Sequence, residues 1–223
     1  MSHERLKSSL QRPSFTEEKL FGVQGYHDIA GIDEVGRGAL AGPVMAAAVI
    51  LPDGMDVPWL SLVRDSKQLT PERRELLFHS IRETAVAIGV GSVSADVIDA
   101  VGIVPATRLA MKMAIERLSP PAEALLIDYL HLPEVRLPQK GVTDGDSLCF
   151  SIACASIIAK VTRDHLMAEL DKAYPGYLLA QHKGYGTEKH LTCLRQLGPS
   201  PIHRRSFQPV KDVINLSLSN LSY

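Results

Sequence analysis

Apolar residues along this chain gather in short unbroken runs, with longer stretches of helical spacing between them. Ile29 to Ile32 is the first run, and it closes on Asp33. Residues 43–52, PVMAAAVILP, are apolar throughout, the pattern of a strand covered on both faces. AVAIGVGSV (85–93) and EALLIDY (123–129) predict a third and a fourth strand, the last carrying Asp128 at its end. In between, LTPERRELLFHSIRET predicts a helix: Thr70 suits the cap, Pro71 the first helical position and Glu72 the positive N-terminal end. VPATRLAMKMAIERLS predicts an amphipathic helix with Ala106, Leu109, Ala110, Met113 and Ala114 on its core stripe. A long helix is expected from Ser151 to about Ala173, its first half carrying the small residues Ala153, Cys154, Ala155, Ser156 and Ala159. GTEKHLTCLRQLG predicts one more short helix, with Thr187 as cap and Gly198 as stop. DGMDVPWL reads as a loop and HLPEVRLPQKGV as a proline-broken connection, while residues 1–27 read as a polar extension with a helical turn near FTEEKLFG. This order predicts an α/β layered domain with helices crowding its C-terminal third.

Composition narrows the class. At 223 residues, 45% hydrophobic and 22% charged, the chain is an ordinary globular domain, and with 5% aromatics its core must be mainly aliphatic. Cys149, Cys154 and Cys193 form no Cys-x-x-Cys pair, which argues against a disulfide framework or a structural zinc site and for a reducing compartment. The N-terminus has no signal-peptide core and no apolar run approaches the ~20 residues that span a bilayer. The expectation is a soluble, cytoplasmic protein, with nothing pointing beyond a monomer. The net charge of −1 does not announce a nucleic-acid binder. Residues 155–211, however, hold nine Lys/Arg against four Asp/Glu, a local charge of +5 suited to phosphates.

The candidate chemistry lies in the acids. Asp33 and Asp128 each end an apolar strand, Glu34 adjoins Asp33, and Asp146 stands in a Gly-Asp-Ser turn before the long helix. Strand ends of an α/β sheet are where such folds place sites. Two carboxylates ~4 Å apart at an effective dielectric of 20 repel by about 4 kcal/mol, so a cluster of four needs protons or cations. Oxygen-only ligands favour hard ions such as magnesium or manganese. On spacing alone, each acid equally suits a polar turn. Gly36-Arg37-Gly38, followed by Gly42, lets backbone approach a ligand closely. It is no dinucleotide loop, because the spacing is G-x-G-x-x-x-G and a buried strand follows rather than a helix. A plain turn between two strands accounts for the glycines equally well.

GIDEVGRGALAGPVMAAAVIL, DSKQLT, LLIDY, GDSLCFSIACASIIAKVTRD, HKGYGTEKH and HRRSF occur in the order of the ribonuclease HII family, which this chain resembles over about residues 28 to 212. The resemblance implies an α/β, ribonuclease H-like fold: a mixed central sheet flanked by helices, with a helical C-terminal portion from about residue 175. It implies a domain over 28–212 between an extension (1–27) and a tail (213–223). It implies cleavage of RNA in RNA–DNA hybrids and at single ribonucleotides in duplex DNA, leaving 5′-phosphate and 3′-hydroxyl ends. Asp33, Glu34, Asp128 and Asp146 match the family's catalytic, metal-binding carboxylates, with two Mg2+ or Mn2+ ions when substrate is bound. Gly36, Arg37 and Gly38 match its contacts to the ribose 2′-hydroxyl and adjacent phosphates, Tyr185 its contact to the sugar at the junction, and Lys67 resembles a phosphate contact. Arg163 and Asp164 either brace the site from the long helix or form an ordinary helix-face ion pair, and His203, Arg204 and Arg205 either approach the nucleic-acid backbone or make a solvated basic loop. The chain departs from the family pattern at Tyr129, commonly glycine, and at Leu148 and Cys149, commonly lysine and serine. Two rivals stay open: a ribonuclease H-like nuclease that cuts DNA alone, and a hybrid-binding protein without catalysis.

Overall fold

In the computed structural model, which describes residues 12–219, five strands form one mixed sheet in the order β3-β2-β1-β4-β5. They are β1 (Ile29–Val35), β2 (Val44–Ile50), β3 (Ala87–Val93), β4 (Ala124–Asp128) and β5 (Gln139–Val142). The nine α-helices among the described residues are α1 (Thr16–Gly22), α2 (Pro71–Thr84), α3 (Ala95–Val101), α4 (Ile103–Glu116), α5 (Gly145–Leu148), α6 (Phe150–Ala173), α7 (Leu179–His182), α8 (Glu188–Leu197) and α9 (Gln208–Ser219), with 3-10 turns at Pro58–Leu62 and Ser66–Gln68. No helix among the described residues is long and apolar enough to cross a membrane. The first 11 residues of the expected extension and the last four of the tail lie outside the described part.

Every residue of β2 is buried, as its unbroken apolar run predicts. Three expectations need correction. The proline-broken connection contains β5, which pairs parallel with β4, Ile127 opposite Gly141. Its half-exposed QKGV lacks the apolar pattern of a buried strand, so periodicity could not reveal it. Helices α3 and α9 were not expected either; α3 lies between Ser94 and Gly102, a polar cap and a glycine stop that the sequence does display. In α4 the core stripe holds Ala106, Ala110, Met111 and Ala114, whereas Leu109 is 41% exposed and Met113 only half-buried.

The chain divides into two compact units. One takes the residues up to Glu34, then Ala46–Gly91 and Met111–Val161; the other takes Val35–Met45, Ser92–Ala110 and the residues from Thr162.

In the first unit, α6 starts directly over β1. Gly31 makes this possible, because a Cβ there would stand 2.1 Å from the backbone carbon of Ser151. Phe21, Ile29, Leu126, Val142, Cys149 and Ile152 close the core at this end. Each large apolar side chain so buried contributes roughly 1.5–3 kcal/mol. The N-terminal segment straps the same point. The Ser14 amide donates to the Leu148 carbonyl at 2.9 Å, and the Phe150 amide donates to the Ser14 carbonyl at 3.3 Å. One carboxylate oxygen of Glu18 accepts from the Ser151 amide at 3.0 Å and from its hydroxyl at 2.7 Å, capping the first turn of α6 from a different helix. Burial pushes the Glu18 carboxyl up, and the two Ser151 bonds pull it back.

In the second unit, Leu40, Leu194 and Val210 form one apolar cluster with Phe207 and Ile214, joining α8 to α9. Ala41, Met167, Tyr177 and Leu179 form another.

Candidate active site

The four acids singled out by sequence all fall in the first unit. Asp33 and Glu34 lie within β1, which runs on to Val35 instead of ending at Asp33 as expected. Ile32 stands opposite Ile127 in the parallel β1–β4 register, so the next residues, Asp33 and Asp128, are neighbours at the carboxyl end of that pair. The Gly145 amide donates to Asp128 Oδ1 at 2.8 Å, tying the short α5, which carries Asp146, to the same strand end.

Electrostatics record the gathering. Burial, and then the charges of Glu34, Asp128 and Asp146, push the Asp33 carboxyl well above the ordinary carboxylate range, against a hydrogen bond from Ser156. Asp128 is raised by burial, opposed by the Gly145 amide and the Lys67 charge, with Asp144 and Asp65 adding to the rise. Asp146 is raised to about 6 by burial and by Asp65, with Lys67 opposing. Asp33 and Asp146 are 6% and 7% exposed, so neither carboxylate has much water to pay for its charge. Lys67 lies 3.7 Å from Asp146 on a side chain 81% exposed. Burial disfavours its ammonium, but Asp65, Asp146, Asp33 and Asp128 outweigh that and raise its pKa.

Two members of this cluster were not singled out by sequence. Asp65 caps the 3-10 turn Ser66–Gln68, accepting from the Lys67 amide at 2.9 Å, and brings a fifth carboxylate against Asp146. Its place two residues before Lys67 in DSK was the available signal. Ser156 shares a 2.9 Å hydrogen bond with Ser66 and reaches Asp33, yet in sequence it is one more small residue on a helix.

The donor set is chemically suited to a hard divalent cation: it is oxygen only, with several negative charges close together. Among the described residues, no three His, Cys, Asp or Glu side chains form a ready-made ion cage.

The glycine turn and Tyr185 belong to the second unit. Gly36 has φ 87°, and a Cβ there would lie 2.3 Å from Arg163 Nε, so glycine is required both for conformation and for space. The turn is tied to the Lys183–Gly186 segment: Ala39 bridges Tyr185, and the Leu40 amide donates to the Gly184 carbonyl at 2.8 Å. Two arginines hold its carbonyls. Arg163 donates to Pro43 at 2.9 Å, Ala41 at 3.2 Å and Lys183 at 2.8 Å. Arg204 donates to Gly42 at 3.0 Å and Arg37 at 2.8 Å. Burial lowers both guanidinium pKa values, that of Arg204 to about 9. The Arg163 guanidinium also lies 5.6 Å from the centre of the Tyr185 ring.

These placements correct the expectation for the HRRSF segment. Arg204 and His203 are buried and brace the fold; only Arg205 of the three is exposed. Arg163 braces, as expected, but it braces the glycine turn. The departures from the family pattern separate as well. Cys149 is a core residue whose thiol is pushed up to about 12 by burial, so it does not face the acids as a reactive group. Tyr129 is 70% exposed, directly after Asp128, with φ 57°.

Comparison with known proteins gives the family and the fold. The family model described as Ribonuclease HII matches residues 30–210. A ribonuclease HII of Dehalococcoides mccartyi is 58% identical over 204 residues, covering 92% of this chain and 97% of the relative. The crystal structure of the ribonuclease H2 from Pyrococcus horikoshii OT3 superposes with a TM-score of 0.67 at 23% identity, covering 85% of this chain and 98% of that one. That of Bst-RNase HIII in complex with Mn2+ gives 0.64 at 20% identity, covering 86% and 70%.

Proposed function

The chain belongs to the ribonuclease HII family and is a ribonuclease H hydrolase, and from that premise we propose that it incises duplex DNA at single embedded ribonucleotides as well as the RNA strand of RNA–DNA hybrids. The observation that carries the reading is the convergence of carboxylates at the β1–β4 strand ends, where Asp33 stands beside Asp128 in the strand register, Gly145 ties Asp146's turn to Asp128, and Glu34, Asp128 and Asp146 all raise the Asp33 carboxyl. Asp33, Glu34, Asp128 and Asp146 hold two divalent cations, Mg2+ or Mn2+, when substrate is present. Such ions supply an attacking water of lowered pKa and a counter-charge for the departing 3′-oxygen, leaving 5′-phosphate and 3′-hydroxyl ends.

The chain's own groups do the rest. Asp33 feels the charges of Glu34, Asp128 and Asp146, so it is the carboxylate shared by the whole set. The Asp146 carboxyl, raised to about 6, holds its proton to a higher pH than an ordinary carboxyl, so a cation at that position competes with the proton below about pH 6 and is favoured above it. Lys67 reaches outward to a phosphate oxygen. The turn beginning at Gly36, one residue beyond Val35, offers the backbone of Gly36 and Gly38 and the Arg37 side chain to the 2′-hydroxyl and its phosphate. That hydroxyl is the group that separates RNA from DNA. Tyr185 packs on the sugar.

The test is a labelled DNA duplex carrying one ribonucleotide, beside an all-DNA duplex, with magnesium, manganese or a chelator. A metal-dependent cut on the 5′ side of the ribonucleotide, absent from the control, is expected. Cutting of both duplexes would remove the 2′-hydroxyl from the reading. Binding without cutting under either metal would leave a hybrid-binding protein.

A further inference from the structure

Three histidines of the second unit are buried: His182, His190 and His203 are 9%, 0% and 1% exposed. Their hydrogen bonds leave one consistent arrangement of protons. The Ser200 amide donates to His203 Nδ1 at 3.0 Å, so that nitrogen is bare and the neutral ring carries its proton on Nε2. His203 Nε2 is 3.1 Å from His190 Nε2, which must therefore accept. The proton of His190 is then on Nδ1, which donates to the Tyr185 carbonyl at 3.0 Å. His182 follows the same rule: the Gly184 amide donates to its Nδ1 at 3.2 Å, and its Nε2 donates to the Tyr177 carbonyl at 2.8 Å. The His182 and His190 rings stack at 4.2 Å with 16° between their planes.

A directed line of donors thus runs from Ser200 through two neutral imidazoles to the backbone of Tyr185. Burial, and for His190 and His203 a neighbouring imidazole, disfavours the charged form of all three rings. The segment it ends on is not one the chain adopts without support. Lys183 and Gly184 both have positive φ, at 55° and 82°, and the former is costly for a residue with a side chain. The Tyr185 carbonyl also accepts from the Thr187 amide at 2.8 Å, and the carbonyls of Lys183 and Gly184 accept from Arg163 and the Leu40 amide, so the relay adds the hold on the Tyr185 carbonyl itself.

We propose that His190, seconded by His203, is a positioning residue for Tyr185: the neutral imidazole relay sets the backbone of that residue and so the attitude in which its ring meets the substrate. The inference rests on the reading that Tyr185 contacts the sugar. Neither histidine touches substrate; each acts through the Tyr185 carbonyl.

A double-mutant cycle separates the two claims. Cleavage of the single-ribonucleotide duplex is measured for the intact protein, Tyr185→Ala, His190→Leu, His190→Asn and the two doubles, with thermal midpoints for each. Tyr185→Ala is expected to lower kcat/KM. His190→Leu is expected to lower it about tenfold in the intact background and to change it by less than about twofold in Tyr185→Ala, the non-additivity of residues sharing one network. His190→Asn, whose amide nitrogen takes the place of Nδ1, restores most of the loss. Where His190→Leu does not fold, His203→Asn, which keeps the acceptor toward Ser200 and loses the donor toward His190, gives the same comparison. Equal losses in both backgrounds, or a lowered midpoint with unchanged kcat/KM, would overturn the positioning role. An unchanged kcat/KM in Tyr185→Ala would instead overturn the sugar contact, whatever the histidines do.

Discussion

Asp33 concentrates the cost of the candidate site in one residue. It is buried, and the charges that weigh most on it, those of Glu34, Asp128 and Asp146, are negative. Asp33→Asn removes that repulsion and, on the proposed reading, the shared metal ligand together. The variant is expected to show no cleavage, to gain about 1 kcal/mol of stability without metal, and to lack the rise in thermal midpoint expected when manganese is added to the intact protein. For a chain of this size 1 kcal/mol is about 2–4 °C, well within calorimetric reach. Retained cleavage would sink the assignment. Tyr129 carries a second local cost, since its φ of 57° is a conformation that glycine adopts freely. The left-handed penalty of about 1–2 kcal/mol outweighs the chain entropy that glycine adds, so Tyr129→Gly is expected to stabilise by about 0.5–1 kcal/mol. A lower urea midpoint for Tyr129→Gly would show that the ring contributes more than its backbone costs.

At the scale of elements, the first turn of α6 is held from outside by Glu18. Glu18→Ala is expected to cost about 1–2 kcal/mol, the range for a lost cap, while Glu18→Gln, which keeps the accepting oxygen, stays within about 0.5 kcal/mol of the intact protein. Equal urea midpoints for all three proteins would mean that the cap contributes nothing. This contact also marks where sequence reading stops. β2 and α2 were legible because burial on both faces and a Thr-Pro-Glu start leave local marks. The acids were legible because each punctuates an apolar run. Glu18 on Ser151, Ser156 on Ser66, and Arg204 on Gly42 join residues far apart in the chain, and no local periodicity encodes such pairs. Leu109 failed for the converse reason, since a helical stripe names a face and not what covers it.

At the scale of the molecule, the charge that favours nucleic acid is smaller than the sequence total suggests. Of the nine cations between 155 and 211, Arg163 and Arg204 are fully buried among carbonyl oxygens. At most seven remain from that stretch to meet phosphates, and with Arg37 and Lys67 they make nine, so the logarithmic slope of hybrid affinity against salt is expected to be no steeper than about −8. A steeper slope, measured by titration in calcium, would mean that cations beyond these nine carry the binding. The three sulfur atoms divide in a similar way. Cys149 and Cys154 are sealed in the interior with their thiols held protonated, while Cys193 is partly open on α8. A maleimide dye added to the native protein therefore lands on one helix, three residues past His190, and the other two sulfurs stay dark until the fold opens. The protein thus carries, without engineering, a single attachment point for an optical probe beside the imidazole relay and two silent timers of its own unfolding.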